Sequence, residues 1–416
     1  MSEFLQLISL IAIILIAAKL FGWLSTLLHQ PAVLGELLVG VLLGPSLINI
    51  AHLPFVTSTN LSEFLSELGQ IGVLLLMFLA GLELHVKDLA KNSRVATISS
   101  ILGVALPIVF GYMFGKSSGL AGDQALFLGL TLGATSVSIS AQVLIELKML
   151  RTKVGLALLG TAILDDILVI LLFSTALAIL TGGGSFIQVL IEIGRMALFL
   201  TLSVAFGLWL LPLLVRWTSK LPISQSLTTF AVVIMLVFGL AAELIGGMAA
   251  ITGTFIAGLM FARTPEKSLF QDNIHSIAYG LFVPLFFVSI GLSMDLTSMG
   301  LNSLWIILGI SAIAILGKLI GVGSGALMNH FSWRESLQLG LGMVARGEVS
   351  LIIAKIGLDS GFITTDIFST VVAMVLITAL LTPPMLRAAF FHKKTKDDLT
   401  PPSTLTPETI AEKEIS

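Results

Sequence analysis

The chain has 416 residues, of which 56% are apolar before its 39 glycines are counted, against about 45–50% with glycine included in soluble domains. Charged residues make up only 11%, the 22 basic and 24 acidic side chains nearly cancel at a formal charge of −2, and the mean hydropathy is +1.05. Such a chain cannot cover a soluble surface, and it has no basic field for nucleic acid. With no cysteine it has no disulfide, thiolate metal site or cysteine nucleophile.

Apolar runs separated by polar or Gly/Pro punctuation predict an all-α membrane protein with thirteen spans. In chain order they cover 4 to 25, 32 to 48, 64 to 84, 95 to 115, 124 to 146, 154 to 181, 186 to 217, 225 to 245, 248 to 263, 274 to 294, 302 to 328, 335 to 357 and 363 to 390. The first follows Met-Ser-Glu, with neither a basic leader nor a small-residue cleavage site, and is expected to be retained. Residues 391–416 are polar and proline-rich and read as a disordered cytoplasmic tail.

Basic residues collect in alternate loops: Lys87 to Arg94, Lys148 to Lys153, Arg216 and Lys220, Arg263 and Lys267, Arg334, and the tail from Arg387. The opposite face carries only Lys116 and Lys355. Basic loops are cytoplasmic, so the N-terminus is expected outside and the C-terminus inside, which an odd number of spans satisfies.

The two halves resemble each other. PAVLGELLVG (31–40) aligns with AAITGTFIAG (249–258), the stretch ending at Leu84 with the one ending at Met294, and GLTLGATSVS (129–138) with GLGMVARGEV (340–349). Spans 1–6 therefore repeat as 8–13, with span 7 as connector. One repeat starts outside and the other inside, an inverted repeat of the kind secondary transporters use for alternating access.

Ionisable groups at mid-membrane cost at least ~3 kcal/mol and are functional candidates by default. Asp165 and Asp166 lie near the middle of span 6 with no basic residue in that helix. Neighbouring helix positions diverge by about 100°, so one carboxylate can pair with a cation on another helix while the other faces a cavity. Lys318 is the basic residue within span 11, too deep for easy snorkelling, and is the expected partner. Span 5 carries Thr135, Ser136, Ser138 and Ser140, and its repeat mate, span 12, carries Arg346-Gly347-Glu348. Both patterns suit two broken, crossing helices whose freed backbone groups sit at mid-membrane.

Other signals are structural. The Gly317/Gly321/Gly325 ladder and the Gly40/Gly44, Gly111/Gly115 and Gly129/Gly133 pairs predict close helix packing. Glu192 and Arg195 are expected to pair within span 7. Lys19 is expected to snorkel inward, and Glu36 and Glu83, nearer helix ends, to be solvated or to cap at least as readily as to line a cation pathway.

Gly-Leu-Glu-Leu (81–84), Ala-Thr-Ser-Val (134–137), the Asp-Asp pair, Lys318 and Arg-Gly-Glu together resemble the monovalent cation/proton antiporters, a family that includes bacterial sodium/proton antiporters and the membrane halves of glutathione-gated potassium efflux systems. The resemblance implies a homodimer in a bacterial cell membrane. Residues 1–84 and 225–294 would form a dimer scaffold, 95–181 and 302–390 a mobile ion-transporting core, and 186–217 the connecting helix. It makes Asp166 the carrier that holds the monovalent cation or the proton, and Asp165 the partner of Lys318. Thr135 and Ser136 match the unwound stretch beside the ion, with Ser138, Arg346 and Glu348 in support. It also implies electrogenic exchange, since electroneutral relatives tend to have Asn before the carrier. The gated efflux members continue into a nucleotide-binding domain; here any ligand gating is expected from a separate regulatory subunit.

The expected function is therefore Na⁺/H⁺ antiport with no cofactor, not enzymatic catalysis. The alternatives are an electroneutral or channel-like K⁺/H⁺ efflux protein and, more remotely, a sodium-coupled solute symporter. An intramembrane aspartyl protease needs carboxylates that face each other, which neighbours on one helix do not.

Overall fold

The computed structural model describes residues 2–391 apart from 46, 51–52, 54–55, 57–60, 85–91, 181–185, 221 and 293–302. Lys87, Lys91 and the tail beyond Phe391 lie outside the described residues. All thirteen predicted spans are present as helices: α1 (Glu3–Leu27), α2 (Ala32–Leu43), α3 (Leu61–Leu82), α4 (Ser93–Ser117), α5 (Gly122–Gly133) and α6 (Val137–Glu146), which share one span, and α7 (Lys153–Leu180). The connector is α8 (Phe186–Ala205) with α9 (Leu211–Thr218). There follow α10 (Ser226–Leu244), α11 (Ala250–Phe261), α12 (Lys267–Ile277) with α13 (Val283–Leu292), α14 (Ser303–Met328), the broken pair α15 (Trp333–Gly342) and α16 (Glu348–Asp359), and α17 (Thr365–Phe391).

Two boundaries differ from the sequence expectation. Span 2 ends at Leu43 rather than at 48, because Gly44 turns to extended backbone (φ −70, ψ 178) ahead of Pro45, and a residue before proline is disfavoured in a helix. Span 10 begins at Lys267 rather than 274, since its opening turns carry Lys267, Gln271, Asp272 and Asn273 and are too polar for an apolar window. Among the described residues ten helical runs are long and apolar enough to cross a membrane. The 12-residue α2 and α11 are not: each rises about 18 Å against a hydrocarbon core of about 30 Å. They are mates in the aligned repeat.

Two π-helical turns, Phe206–Leu210 and Ala278–Phe282, join α8 to α9 and α12 to α13. Each precedes a helix with proline at its second position, Pro212 or Pro284, whose missing N–H breaks the regular ladder. The second turn places Tyr279.

Small residues set the tightest packing. α14 lies along α4, where a Cβ on Gly317 would stand 3.1 Å from the Pro107 Cα and one on Gly325 2.6 Å from the Ser99 Cα. α4 also packs on α5, with Gly111 against Gly129, and on α7. Elsewhere α11 packs on α3, α13 on α2 and α3, and α1 on α2. Between these two groups α6 touches α2 and α3, and α17 touches α2. Ile16, Trp23, Trp209, Leu213 and Trp217 are exposed, as a lipid-facing surface requires.

Candidate functional site

The site is built where the two broken helices cross. α5 stops at Gly133, and Ala134–Ser136 run as non-helical backbone before α6; α15 stops at Gly342, and the chain is unwound to Gly347 before α16. The Ser136 N–H donates to the Ala345 carbonyl at 2.8 Å. The Ser140 hydroxyl donates to the Gly342 carbonyl, and Ser350 to that of Thr131 at 2.9 Å. Each break thus satisfies the other's backbone, which irregular backbone at this depth needs. Gly347 permits the approach: a Cβ there would stand 2.6 Å from the Ser136 Oγ.

Arg346 is fully buried. Its guanidinium donates to the Met343 and Val344 carbonyls at 3.1 and 3.2 Å and to the Ala314 carbonyl at 2.9 Å, and its backbone N–H donates to Thr378 Oγ1. The arginine places a positive charge on the negative, C-terminal end of the half-helix α15. Together with Ser136 and Ser140 it engages the carbonyls of residues 342 to 345. These carbonyls, freed from helical bonding by the break, are taken by protein donors. The backbone of Glu348 begins α16, and its side chain lies outside the described residues.

The first break keeps hydroxyls available. Ser136 and Ser138 share a hydrogen bond at 3.0 Å. The Thr135 hydroxyl is buried and, among the described residues, has no hydrogen-bond partner. A buried hydroxyl without a partner is costly and fits a place where an ion or water completes the set.

α7 packs against both α5 and α6 and against α15, and it carries the two aspartates. Lys318 on α14 donates to Asp165 Oδ1 at 2.6 Å, with both side chains at 0% exposure. This is the pair the sequence predicted. The other Asp165 oxygen has no partner among the described residues. Asp165's charge also acts on Arg346, and the charge of Asp166 also acts on Lys318. Asp166 turns to a different neighbour: its Oδ2 accepts from the Thr252 hydroxyl of α11 at 3.5 Å, so one turn of helix directs adjacent carboxylates to two different helix groups.

Thr252 was not singled out in the sequence. The signal available was the alignment of 249–258 with 31–40, which marked the segment but not its contact. Glu146 was not singled out either. Glu36 was expected to be solvated or capping but is 6% exposed, held under α1, where a Cβ on Gly22 would stand 3.9 Å from its Cγ. Glu83 is half-buried just beyond α3. Lys19 donates to the Tyr279 carbonyl at 2.9 Å. Glu192 and Arg195 pair at 3.0 Å as expected, and Arg195 also donates to the Leu244 and Ile245 carbonyls that end α10.

Comparison with known proteins places this arrangement. The family model described as "Sodium/hydrogen exchanger, transmembrane" matches residues 10–392. The Na(+)/H(+)-K(+) antiporter GerN of Bacillus cereus is 41% identical over 383 residues, covering 92% of this chain and 96% of its own. An Na(+)/H(+) antiporter of Enterococcus hirae is 36% identical over 394 residues, covering 94% and 99%. The structure of the sodium proton antiporter MjNhaP1 from Methanocaldococcus jannaschii at pH 8 aligns with a TM-score of 0.67 at 20% identity, over 94% of this chain and 98% of that one. The likeness at that identity is one of fold.

Proposed function

We propose, from the premise that this chain belongs to the sodium/hydrogen exchanger family, that it exchanges a monovalent cation for protons at Asp166 by alternating access. The observation that carries the assignment is the division of labour on α7: Asp165 is neutralised by Lys318 at 2.6 Å, while Asp166 reaches Thr252 on the other helix group.

The chemistry follows from charge. With Asp165 and Lys318 cancelling, the net charge of the pocket is that of Asp166. A bound proton or a bound Na⁺ leaves it neutral, whereas the empty, ionised carboxylate is expensive to carry through a low-dielectric barrier. Only loaded sites cross, and that couples the two fluxes. Thr135, Ser136 and Ser138 offer hydroxyl and backbone oxygens from the first break, which suit a hard monovalent cation. Na⁺ is the proposed principal substrate, with K⁺ as a second, in keeping with the names of the relatives.

The packing supports a mobile core made of α4–α7 and α14–α17, working against a scaffold of α1–α3 and α10–α13 that dimerises, with α8 and α9 as connector. The basic loops face the cytoplasm and the N-terminus lies outside, in a bacterial cell membrane. Two protons per cation, the second supplied by Lys318, would leave the cation-loaded pocket with one negative charge where the proton-loaded pocket is neutral, and at ~2.3 kcal/mol per charge per 100 mV the membrane voltage would then drive the exchange.

The test is proton flux in proteoliposomes, followed with a pH-sensitive dye, on addition of Na⁺, K⁺ or Li⁺. Cation-driven proton movement saturating at low Na⁺ supports the reading; none with any of the three ions refutes it.

A further inference from the structure

A second carboxylate bridges the two helix groups, on the basic side of the protein. Helix α2 begins after Pro31, which caps it with no side-chain hydrogen bond, and proline has no side-chain oxygen to accept one of the first N–H groups. The acceptor is supplied by another helix. Glu146, the last residue of α6, accepts the Ala32 N–H at 2.6 Å through one oxygen and the Val33 N–H at 3.3 Å through the other.

The carboxylate is held in turn. Gln142, one turn back on α6, donates to Glu146 Oε1 at 2.7 Å, and the Tyr279 hydroxyl donates to Gln142 Oε1 at 2.8 Å. Tyr279 sits in the π-helical turn before α13 and accepts Lys19 of α1 at its carbonyl. Three elements of one group, α1, α2 and the π turn, are thus tied to α6 of the other through two side chains. Lys148, Arg151 and Lys153 follow within a few residues of Glu146. A cap provided in this way differs from a helix's own cap, because it detaches when the two helix groups separate.

We propose that Glu146 is a positioning residue for transport: it latches the ion-carrying core to the α2 end of the scaffold and closes the basic-face entrance in this conformation, so that each turnover must release it. The inference rests on the core and scaffold division proposed above. It differs from the role of Asp166, since Glu146 acts on access and carries no ion. Hydrogen bonds to a charged carboxylate are the strong ones, and their positive partner here is the N-terminal turn of α2, so the latch weights the closed state without making it permanent.

The absence of native cysteine gives a clean background for the test. Val33 is fully buried beside the latch, and Val33→Cys keeps the backbone N–H that Glu146 binds. Labelling of that thiol by a membrane-impermeant maleimide is timed in vesicles of both orientations. Adding Glu146→Ala is expected to speed labelling from the basic face about tenfold. Glu146→Gln, whose amide oxygen still accepts, and Tyr279→Phe, which unties Gln142, should speed it less, with no change from the opposite face. Loss of a merely structural cap lowers the melting temperature without such sidedness. Labelling that is no faster in Glu146→Ala overturns the latch. Should that variant not fold, the absence of any rise in Glu146→Gln and Tyr279→Phe overturns it equally. Labelling does not require transport, so failure of the Asp166 assignment is read separately, in the flux assay.

Discussion

Thr252 and Asp166 meet across the boundary between two helix groups, hydroxyl to carboxylate at 3.5 Å. Thr252 lies in the first turn of α11, which like α2 is 12 residues long and starts without a side-chain cap of its own. The two repeat mates therefore direct their first turns at carboxylates of the opposite group, α2 at Glu146 and α11 at Asp166. The arrangement makes the environment of Asp166 depend on how the groups sit, which is what a carrier working by alternating access needs.

Thr252→Val removes the hydroxyl at nearly constant volume. The contact is long, so its loss is expected to raise the half-saturating Na⁺ concentration by roughly threefold to tenfold while leaving the protein as stable as before. Thr252→Ser restores the hydroxyl and should restore the affinity. The measurement is the Na⁺ titration of proton flux in proteoliposomes.

The Asp165–Lys318 pair makes a stability prediction. Lys318→Gln strands a buried carboxylate, and breaking a buried pair costs about 3–5 kcal/mol, so the melting temperature in detergent should fall sharply. Asp165→Asn should fall in the same direction. The double variant Asp165→Asn/Lys318→Gln leaves no unpaired charge and should recover much of the loss, a coupling that a double-mutant cycle reads directly. Where these variants still transport, currents on solid-supported membranes should carry less charge per cation than the unmodified protein.

Much of the site was legible in the sequence because burying charge in a membrane is so costly. Asp165, Asp166 and Lys318 stood out in apolar helices; that one aspartate could pair with Lys318 followed from adjacent helix positions pointing apart, and the resemblance to the antiporters singled out Asp165. The crossing was foreshadowed by hydroxyls in one repeat and Arg346-Gly347 in the other. What could not be read was which partner each polar group takes once the chain folds. Arg346 spends its donors on carbonyls at the end of α15, a choice set by three-dimensional proximity. Thr252 and Glu146 are ordinary residues in sequence; they matter because short helices present uncapped ends to them or through them.

Gly347 predicts a steric outcome. Any Cβ at this position meets the Ser136 side chain at 2.6–2.7 Å, while its backbone (φ −160) is open to other residues. Gly347→Ala should therefore fail through the crossing and not through backbone strain. Transport should drop strongly, and Ser136→Gly in the same chain should recover part of it, as measured by dye-detected antiport.

Shared occupancy makes a pH prediction. A proton and a cation that use the same carboxylate exclude each other, so acidification should raise the half-saturating Na⁺ concentration while leaving the maximal rate at saturating Na⁺ much less affected. Where the displaced protons are fully bound, the rise approaches tenfold per pH unit for each proton that the cation displaces. A half-saturation that stays flat from acidic to alkaline pH contradicts a common site.

The central claim is that one carboxylate carries both ions, and Asp166→Asn tests it most directly. An amide of nearly the same shape can neither take up a proton nor balance a cation. Radioactive Na⁺ uptake and proton release are measured together in proteoliposomes of the folded variant and of the unmodified protein. The account predicts that both fluxes disappear together in Asp166→Asn while its melting temperature stays within a few degrees. Coupled Na⁺ and proton movement persisting in that variant would contradict it.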